Sequence, residues 1–308
     1  MPAVPPPEGR RPLTSFGWQG IALTLPDGWD PVVANGDYRT GYVRLADESV
    51  VRLEVRWQQA GQRSPAQMVT AYAEDLARRA RKEGQSLEMD RELSLASPPG
   101  MECETYSWAT DRRVWAILAH SAESGRVFHL HLSSRLEERA KGLARTVFSS
   151  LKDHPSDEPL PWRFYDMDFT SPAGMPLLRQ SLQSGCIRMV FGRRLERIEF
   201  ARVSLAEVLL AGKGLDDWFR QFYAASLKRR RVRLKEEAYR GHPGVVVEGR
   251  VWLPMNPSAL LGRPRVVRGR CWHCEAGNRI MICCFDGPAG NAGLLAGALE
   301  GFRCCEEG

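Results

Sequence analysis

Two stretches of this chain share one pattern: Trp18–Trp29 reads WQGIALTLPDGW, and Phe164–Met175 reads FYDMDFTSPAGM. In each stretch a largely apolar run leads into a Pro-x-Gly sequence, which is typical of a strand that ends in a turn. Later segments repeat in the same order, which predicts that one fold was duplicated and fused. The later matches are Gly41–Leu45 with Gly185–Met189, Arg52–Val55 with Arg197–Phe200, Pro98–Trp108 with His242–Trp252, and His120–Leu132 with His273–Phe285.

The length of the repeat predicts two complete domains rather than the short units of a solenoid. A chain of 308 residues is long enough for two cores. The boundaries follow from composition, because Pro-rich polar segments are typical of arms and linkers. We expect a flexible Pro-rich arm at 1–16, a first repeat at 17–152, a linker at 153–161 and a second, basic repeat at 162–308.

Each copy is predicted to be an α+β domain: a mainly antiparallel sheet with a mid-chain helix and a C-terminal helix packed on it. Ser64 followed by Pro65 indicates the start of the first mid-chain helix. Met68, Tyr72 and Leu76 then form an apolar stripe. The same stripe in the second copy consists of Leu215, Trp218, Phe222 and Tyr223, and a basic run is expected to end that helix.

The order of elements, together with the phrase LTLPDGW at Leu23–Trp29, resembles the PsbP-like superfamily. This superfamily includes photosystem PsbP subunits, Ran-binding Mog-type proteins, DcrB-type proteins and the Eag chaperones of type VI secretion. The resemblance covers both copies and implies a protein-binding role. These proteins share no set of catalytic residues, so the resemblance assigns no site to this chain.

The excess of positive charge lies in the second copy. Residues 1–155 hold 20 basic and 20 acidic residues, whereas 156–308 hold 23 and 17, which accounts for the net charge of +6. The basic run Lys228–Lys235 reads KRRRVRLK, and its alternate residues would share a face if the segment is extended. We predict partner binding, by an acidic protein or by nucleic acid, at this run and at two leucines of an extra loop: Arg229, Arg230, Arg231, Arg233, Leu260 and Leu261.

Two further groups suggest a metal. His129 and His131 share one face of a strand, and a two-residue turn at Ser124–Gly125 would bring His120 opposite His129. Three imidazoles of this kind could hold zinc. Cys271 and Cys274 have the spacing of half a zinc knuckle, but residues three apart on a strand point to opposite faces. We therefore expect no cofactor, with zinc at the histidines as the alternative.

Some charges recur in both copies: Arg44 with Arg188, Glu54 with Glu199, and Glu104 with Glu248. We predict cross-strand ion pairs, with Arg44 bound to Glu54 or Glu104.

The sequence favours a non-enzymatic cytosolic protein-binding module that uses a composite surface of the two fused repeats: an adaptor, a chaperone or a subunit of a complex. No GxSxG, GxxxxGK[ST] or HExxH signature is present, so enzymatic activity is not indicated. No apolar run approaches 18 residues, the first residues lack the apolar core of a signal peptide, and eight cysteines fit a reducing cytoplasm. A nucleic-acid-associated protein and a metal-dependent enzyme using the histidines stay open as alternatives.

Overall fold

The structure is a computed structural model that describes residues 12–304 except Glu92, Ser184, Arg229 and 252–263. Its chain divides into two compact units. The first comprises Met1–Ser156 with Pro161–Tyr165, and the second comprises Asp157–Leu160 with Asp166–Gly308. Among the described residues, no helix has the length and apolar character needed to cross a membrane.

The first unit is built mainly of antiparallel strands. Its strands are β1 (Leu13–Trp18), β2 (Ile21–Pro26), β3 (Asp30–Gly36), β4 (Gly41–Ala46), β5 (Val51–Gln59), β6 (Glu88–Asp90), β7 (Met101–Ala109), β8 (Arg113–Ser121), β9 (Arg126–Ser134), β10 (Lys152–Asp153) and β11 (Leu160–Phe164). Its helices are α1 (Pro65–Glu83) and α2 (Lys141–Ser149). Seven of these strands form one sheet in the order β3-β4-β5-β9-β8-β7-β6.

The second unit repeats this plan. Its strands are β12 (Met167–Ser171), β13 (Leu177–Gln183), β14 (Cys186–Arg193), β15 (Glu196–Ser204), β16 (Arg230–Glu236), β17 (Gly244–Val251), β18 (Arg265–Cys274) and β19 (Arg279–Pro288). Its helices are α3 (Ala206–Leu209), α4 (Leu215–Phe222), α5 (Ala224–Leu227) and α6 (Leu294–Gly301). The seven-stranded sheet has the order β13-β14-β15-β19-β18-β17-β16, which matches the first sheet strand for strand. The predicted fold class is therefore confirmed.

The strand registers define which positions correspond in the two units. Glu54 lies opposite His131, and Glu199 lies opposite Cys284. Between β7 and β8 of the first unit, Glu104 lies opposite Leu118. The corresponding pair between β17 and β18 of the second unit is Val245 with Cys271. The expected match of Glu104 with Glu248 is therefore wrong.

The shift arises at the glycine that precedes β7. Gly100 has a positive φ of 73° and lies in a turn, whereas Gly244 is already part of β17. A match that aligns these two glycines therefore displaces the strands that follow.

The helix α1 begins where its sequence predicts. The Ser64 hydroxyl accepts a hydrogen bond from the Gln67 amide, and the Gln67 side chain accepts one from the Ser64 amide. This capping box satisfies two amides that the first helical turn leaves unpaired. The predicted stripe of Met68, Tyr72 and Leu76 packs against a buried cluster that includes Tyr106 and Leu118.

The central strands of both seven-stranded sheets are buried on two faces. Every residue from Trp115 to Ala119 on β8 is buried, although successive side chains point to opposite sides. Helix α1 covers one side, and α2 contacts both β8 and β2. In the second unit, α4 packs on a core that contains Val247 and Ile282, and Val266 and Phe285 pack against residues of α6 on the other side.

Ordered structure extends into the expected arm and linker. Leu13–Trp18 forms β1, because Phe16 is buried at 3% exposure and cannot remain in a solvated arm. At the other boundary, Asp153 belongs to β10, where it binds the buried guanidinium of Arg126. Leu160 begins β11.

Candidate functional site

The basic run forms an edge strand rather than the end of a helix. Arg230–Glu236 is β16, at one end of the second sheet, and its residues alternate in exposure. Arg231, Arg233 and Lys235 are exposed on one face, while Val232 and Leu234 pack into the core on the other. Val232 and Leu234 favour a strand here, because side chains two residues apart point to the same side of a strand and both can then be buried.

Two neighbouring strands add cations to the same face. Arg250 on β17 lies directly opposite Arg231, and Arg268 on β18 shares this side of the sheet through its pairing with Glu248. Both arginines are exposed. We call the set Arg231, Arg233, Lys235, Arg250 and Arg268 the basic face.

The basic face is poorly neutralised by the rest of the unit. One carboxylate, that of Glu248, lies among these cations, opposite both Arg233 and Arg268. Lys235 also pairs with Glu237 at 3.2 Å. Among the described residues, none forms an ion pair with Arg231 or Arg250. These two arginines lie directly opposite each other, and like charges in this position destabilise a sheet.

Other arginines near the basic face differ from it because they form ion pairs within the second unit. The Arg230 guanidinium binds the Asp286 carboxylate at 2.6 Å, and Arg265 binds the same carboxylate at 3.1 Å. Arg270 binds Glu237 at 2.6 Å. Paired arginines of this kind hold elements together, whereas the guanidinium groups of the basic face point to solvent.

The first unit carries the opposite charge at the corresponding edge. Glu88 and Asp90 lie on β6 opposite Ala109 and Ser107, and these positions correspond to Arg231 and Arg233 opposite Arg250 and Glu248. The same fold thus forms with an acidic edge and with a basic one. The fold does not require the positive charges of the second unit.

The predicted binding residues fall into three groups. Arg231 and Arg233 lie on the basic face, whereas Arg230 turns inward to Asp286. Arg229, Leu260 and Leu261 lie outside the described residues. Arg250 and Arg268 were missed, because their contribution depends on strand pairing that links positions far apart in the sequence.

The upstream aromatic residues belong to the core. Trp218 and Tyr223 are buried at 4% and 8% exposure in the cluster that Val232 and Leu234 also join. They therefore lie on the side of the sheet opposite to the basic face. The basic face gains no stacking platform for bases from these rings.

The histidines of the first unit pack beneath α1. His129 Nε2 lies 2.7 Å from His131 Nε2 and also hydrogen-bonds the Tyr106 hydroxyl, and the Tyr72 ring contacts both imidazoles. The expected position of His120 is wrong. It lies opposite Val127, while His129 lies opposite Leu118, because the turn spans residues 122–125 rather than two.

Burial controls the ionisation of this pair. Burial, and after it the charge of Arg56, lowers the pKa of His131 to about 3. Burial, with His131 and Arg56 adding to it, also holds the pKa of His129 well below its ordinary value. Both imidazoles are therefore neutral at pH 7, and metal binding by them stays a prediction.

One predicted ion pair is present in both units. Arg44 binds Glu54 at 2.5 Å, and Arg188 binds Glu199 at 2.9 Å. Burial alone would raise the pKa of Glu54, but hydrogen bonds from Arg44 and Arg56 outweigh it and lower that pKa. In the second unit the Tyr223 hydroxyl donates to Glu199 at 2.6 Å. The two ion pairs join adjacent strands, and the Tyr223 bond attaches the end of α4 to β15.

Comparison with known proteins finds likenesses among solved structures. No model of a known protein family matches the chain, and neither does any curated protein. The cyanobacterial PsbP of Synechocystis is 14% identical with a TM-score of 0.36, and the match covers 50% of this chain and 99% of that one. The Ran-binding protein Mog1p of Saccharomyces cerevisiae is 13% identical with a TM-score of 0.30, covering 45% of this chain and 90% of that one.

A third match extends over both units. The immunity protein TplEi of the T6SS of Pseudomonas aeruginosa, solved with an "L" peptide, is 12% identical with a TM-score of 0.37. It covers 97% of this chain and 99% of that one. The PsbP-like resemblance seen in the sequence is thus found again among structures, and at these TM-scores it carries no argument about function.

Proposed function

We propose that this protein is a protein-binding module whose basic face and edge strand β16 bind an acidic, extended segment of a partner protein. The observation that carries the proposal is the reversal of charge between corresponding edges, with Arg231 and Arg233 in one unit and Glu88 and Asp90 in the other. Charges that the fold does not need, and that destabilise it where Arg231 faces Arg250, fit a role in recognition.

The geometry of a strand favours an extended partner. The outer edge of β16 has no strand beside it among the described residues, so its backbone can add a further strand. Alternate side chains on a strand are about 7 Å apart. Acidic residues at every second position of an added strand would therefore meet Arg231, Arg233 and Lys235 in register.

A nucleic acid fits this surface less well. Its backbone cannot continue a sheet, and the aromatic side chains upstream of β16 are buried on the opposite side. The roles of adaptor, chaperone or complex subunit belong to the same proposal, since each describes a protein that acts by binding another. A cytoplasmic location is proposed with them.

The experiment compares two charge-reversed variants with the wild-type chain. Arg231→Glu with Arg233→Asp gives the edge of the second unit the charges of the first. Arg135→Glu with Arg139→Glu is the matched control, because these exposed arginines of the first unit change the net charge equally. Each protein is immobilised and exposed to an extract of its native host at physiological salt, and cross-links from Lys235 are mapped on the retained proteins.

We expect the wild-type chain and the control to retain the same partner through an acidic segment, and the edge variant to lose it by more than about tenfold. Equal retention by the edge variant would refute the proposal. Partner material that disappears after nuclease treatment would also refute it and would select the nucleic-acid alternative.

A further inference from the structure

Three metal-binding side chains meet at one end of the second unit's sheet. His242 precedes β17, Cys274 ends β18, and Cys304 follows α6. The imidazole nitrogen and the two thiol sulfurs all lie within 4.8 Å of one another, and His242 Nε2 is 3.4 Å from Cys304 Sγ. Cys274 is buried, and the other two side chains are half-buried.

Strand pairing brings His242 level with Cys274. Gly244 lies opposite Trp272, and the His273 amide donates to the Pro243 carbonyl at 2.9 Å, so the next position along holds His242 beside Cys274. His242 is also paired in both directions with Tyr239, at 2.9 and 3.0 Å, across a two-residue turn. This tight turn leaves His242 little freedom to move.

The same turn holds the end of α6 in place. The Tyr239 hydroxyl donates to the Leu299 carbonyl at 2.9 Å, and the Arg240 guanidinium donates to the Glu300 carbonyl at 2.8 Å and the Phe302 carbonyl at 3.1 Å. Arg240 adopts a φ of 48°, which a non-glycine residue rarely takes. Its hydrogen bonds to the helix end offset that unfavourable conformation, so contacts outside the cluster fix the position of Cys304.

The chemistry of the cluster is that of a zinc site. Zinc binds thiolate sulfur at about 2.3 Å and imidazole nitrogen at about 2.0 Å, which at a tetrahedral angle separates the two atoms by about 3.5 Å. The separation of His242 Nε2 and Cys304 Sγ, 3.4 Å, agrees with this. The Trp272 indole N–H also donates to Cys304 Sγ at 3.3 Å, and a donor aimed at the sulfur favours the thiolate.

We propose that His242, Cys274 and Cys304 bind one Zn²⁺. Binding releases one proton from each thiol, because the thiolate is the ligand. The metal would cross-link the β16–β17 turn to the end of α6 and so stabilise the second unit. The inference is independent of the proposed function, since none of the three ligands belongs to the basic face.

At the corresponding positions, which the structure describes, the first unit has no equivalent set. Met101 lies opposite Ser121, which corresponds to His242 beside Cys274. Lys152 pairs with Ala22 as Arg303 pairs with Asp168, so Asp153 stands where the second unit has Cys304. Methionine, serine and aspartate do not make a zinc site, and the prediction therefore concerns the second unit alone.

Cobalt(II) tests the site in the reduced full-length protein, because thiolate ligands give bound cobalt a charge-transfer band in the near ultraviolet. We expect one cobalt per chain, displacement of the cobalt by zinc, and a rise in the melting temperature of the second unit with zinc. Cys304→Ser and His242→Ala should each weaken cobalt binding by more than about tenfold, since even outer contacts of a metal site contribute that much.

Control variants separate this site from other thiols and imidazoles. Cys271→Ala and His273→Gln change the same strand on its other face, and Cys103→Ser changes a thiol of the first unit; all three should bind cobalt as the wild type does. Metal-free Cys304→Ser and metal-free wild type should melt alike, which excludes misfolding as the cause of weaker binding. Less than about one cobalt per ten chains, or Cys304→Ser binding like the wild type, would show a hydrogen-bonded thiol–imidazole group that holds no metal.

Discussion

At the scale of residues, corresponding positions in the two units carry different chemistry on one backbone. Where the first unit has His129 and His131, the second has Ile282 and Cys284. Both histidines are neutral because burial lowers their pKa values, and they hydrogen-bond each other and Tyr106. The histidine pair is therefore a half-buried polar group beneath α1.

This pair makes the first unit sensitive to acid. Between pH 6.5 and about 3 the unfolded chain binds protons that the folded histidines do not, so folding free energy is lost as pH falls below 6.5. We expect a loss of about 1 kcal/mol per histidine for each pH unit in the upper part of this window. The charged groups beside the pair, Glu54 and Arg56, are unchanged when the two histidines are replaced.

The measurement is urea unfolding of the first unit at several pH values. The variant His129→Ile with His131→Cys carries the residues of the second unit and should show a shallower dependence on pH between 6.5 and 4.5. Parallel curves for the variant and the wild type would contradict the assignment of neutral, buried histidines.

At the scale of elements, the sequence predicts best where local signals and burial agree. The start of α1 follows from Ser64 and Pro65, and the central strand β5 follows from the alternation of apolar and charged residues in Val51–Trp57. The edge strands β3 and β13 were missed, because a strand at the edge of a sheet is half solvated and carries few buried residues. The strand β16 was mistaken for a helix end for the same reason.

The residues of the candidate sites were likewise predictable only where a local sequence signal marks them. Arg231 and Arg233 could be found from a run of basic residues in the sequence. Arg250 and Arg268 could not, because only pairing with β16 and β17 brings them to that face. The set proposed to bind zinc was missed, because His242, Cys274 and Cys304 come together through a turn and a helix end that no local spacing indicates.

The capping box of α1 gives a prediction for an element. Ser64→Ala removes the acceptor for the Gln67 amide and should cost about 1 kcal/mol of folding free energy in the first unit. Ser64→Asp restores an acceptor and should recover most of this loss. Urea unfolding of both variants measures the effect, and an Ala variant as stable as the wild type would show that the cap does not stabilise the unit.

At the scale of the whole molecule, one sheet is built twice with the same order of strands, and the two copies differ in the charge of corresponding edges. The excess of positive charge therefore lies in the second unit, and part of it lies on the basic face. If the basic face is a binding surface, then the position of these charges determines binding and the total charge does not.

A charge-swapped chain tests this claim most directly. Glu88→Arg and Asp90→Arg combined with Arg231→Glu and Arg233→Glu exchange two acidic and two basic residues, so the net charge stays at +6. The measurement is the Kd of a fluorescent deca-glutamate peptide for the wild-type and swapped chains, over a series of salt concentrations. The account predicts salt-dependent binding to the wild type and at least about tenfold weaker binding to the swapped chain, because Arg250, Arg268 and Lys235 no longer act with Arg231 and Arg233. Equal affinities would contradict it.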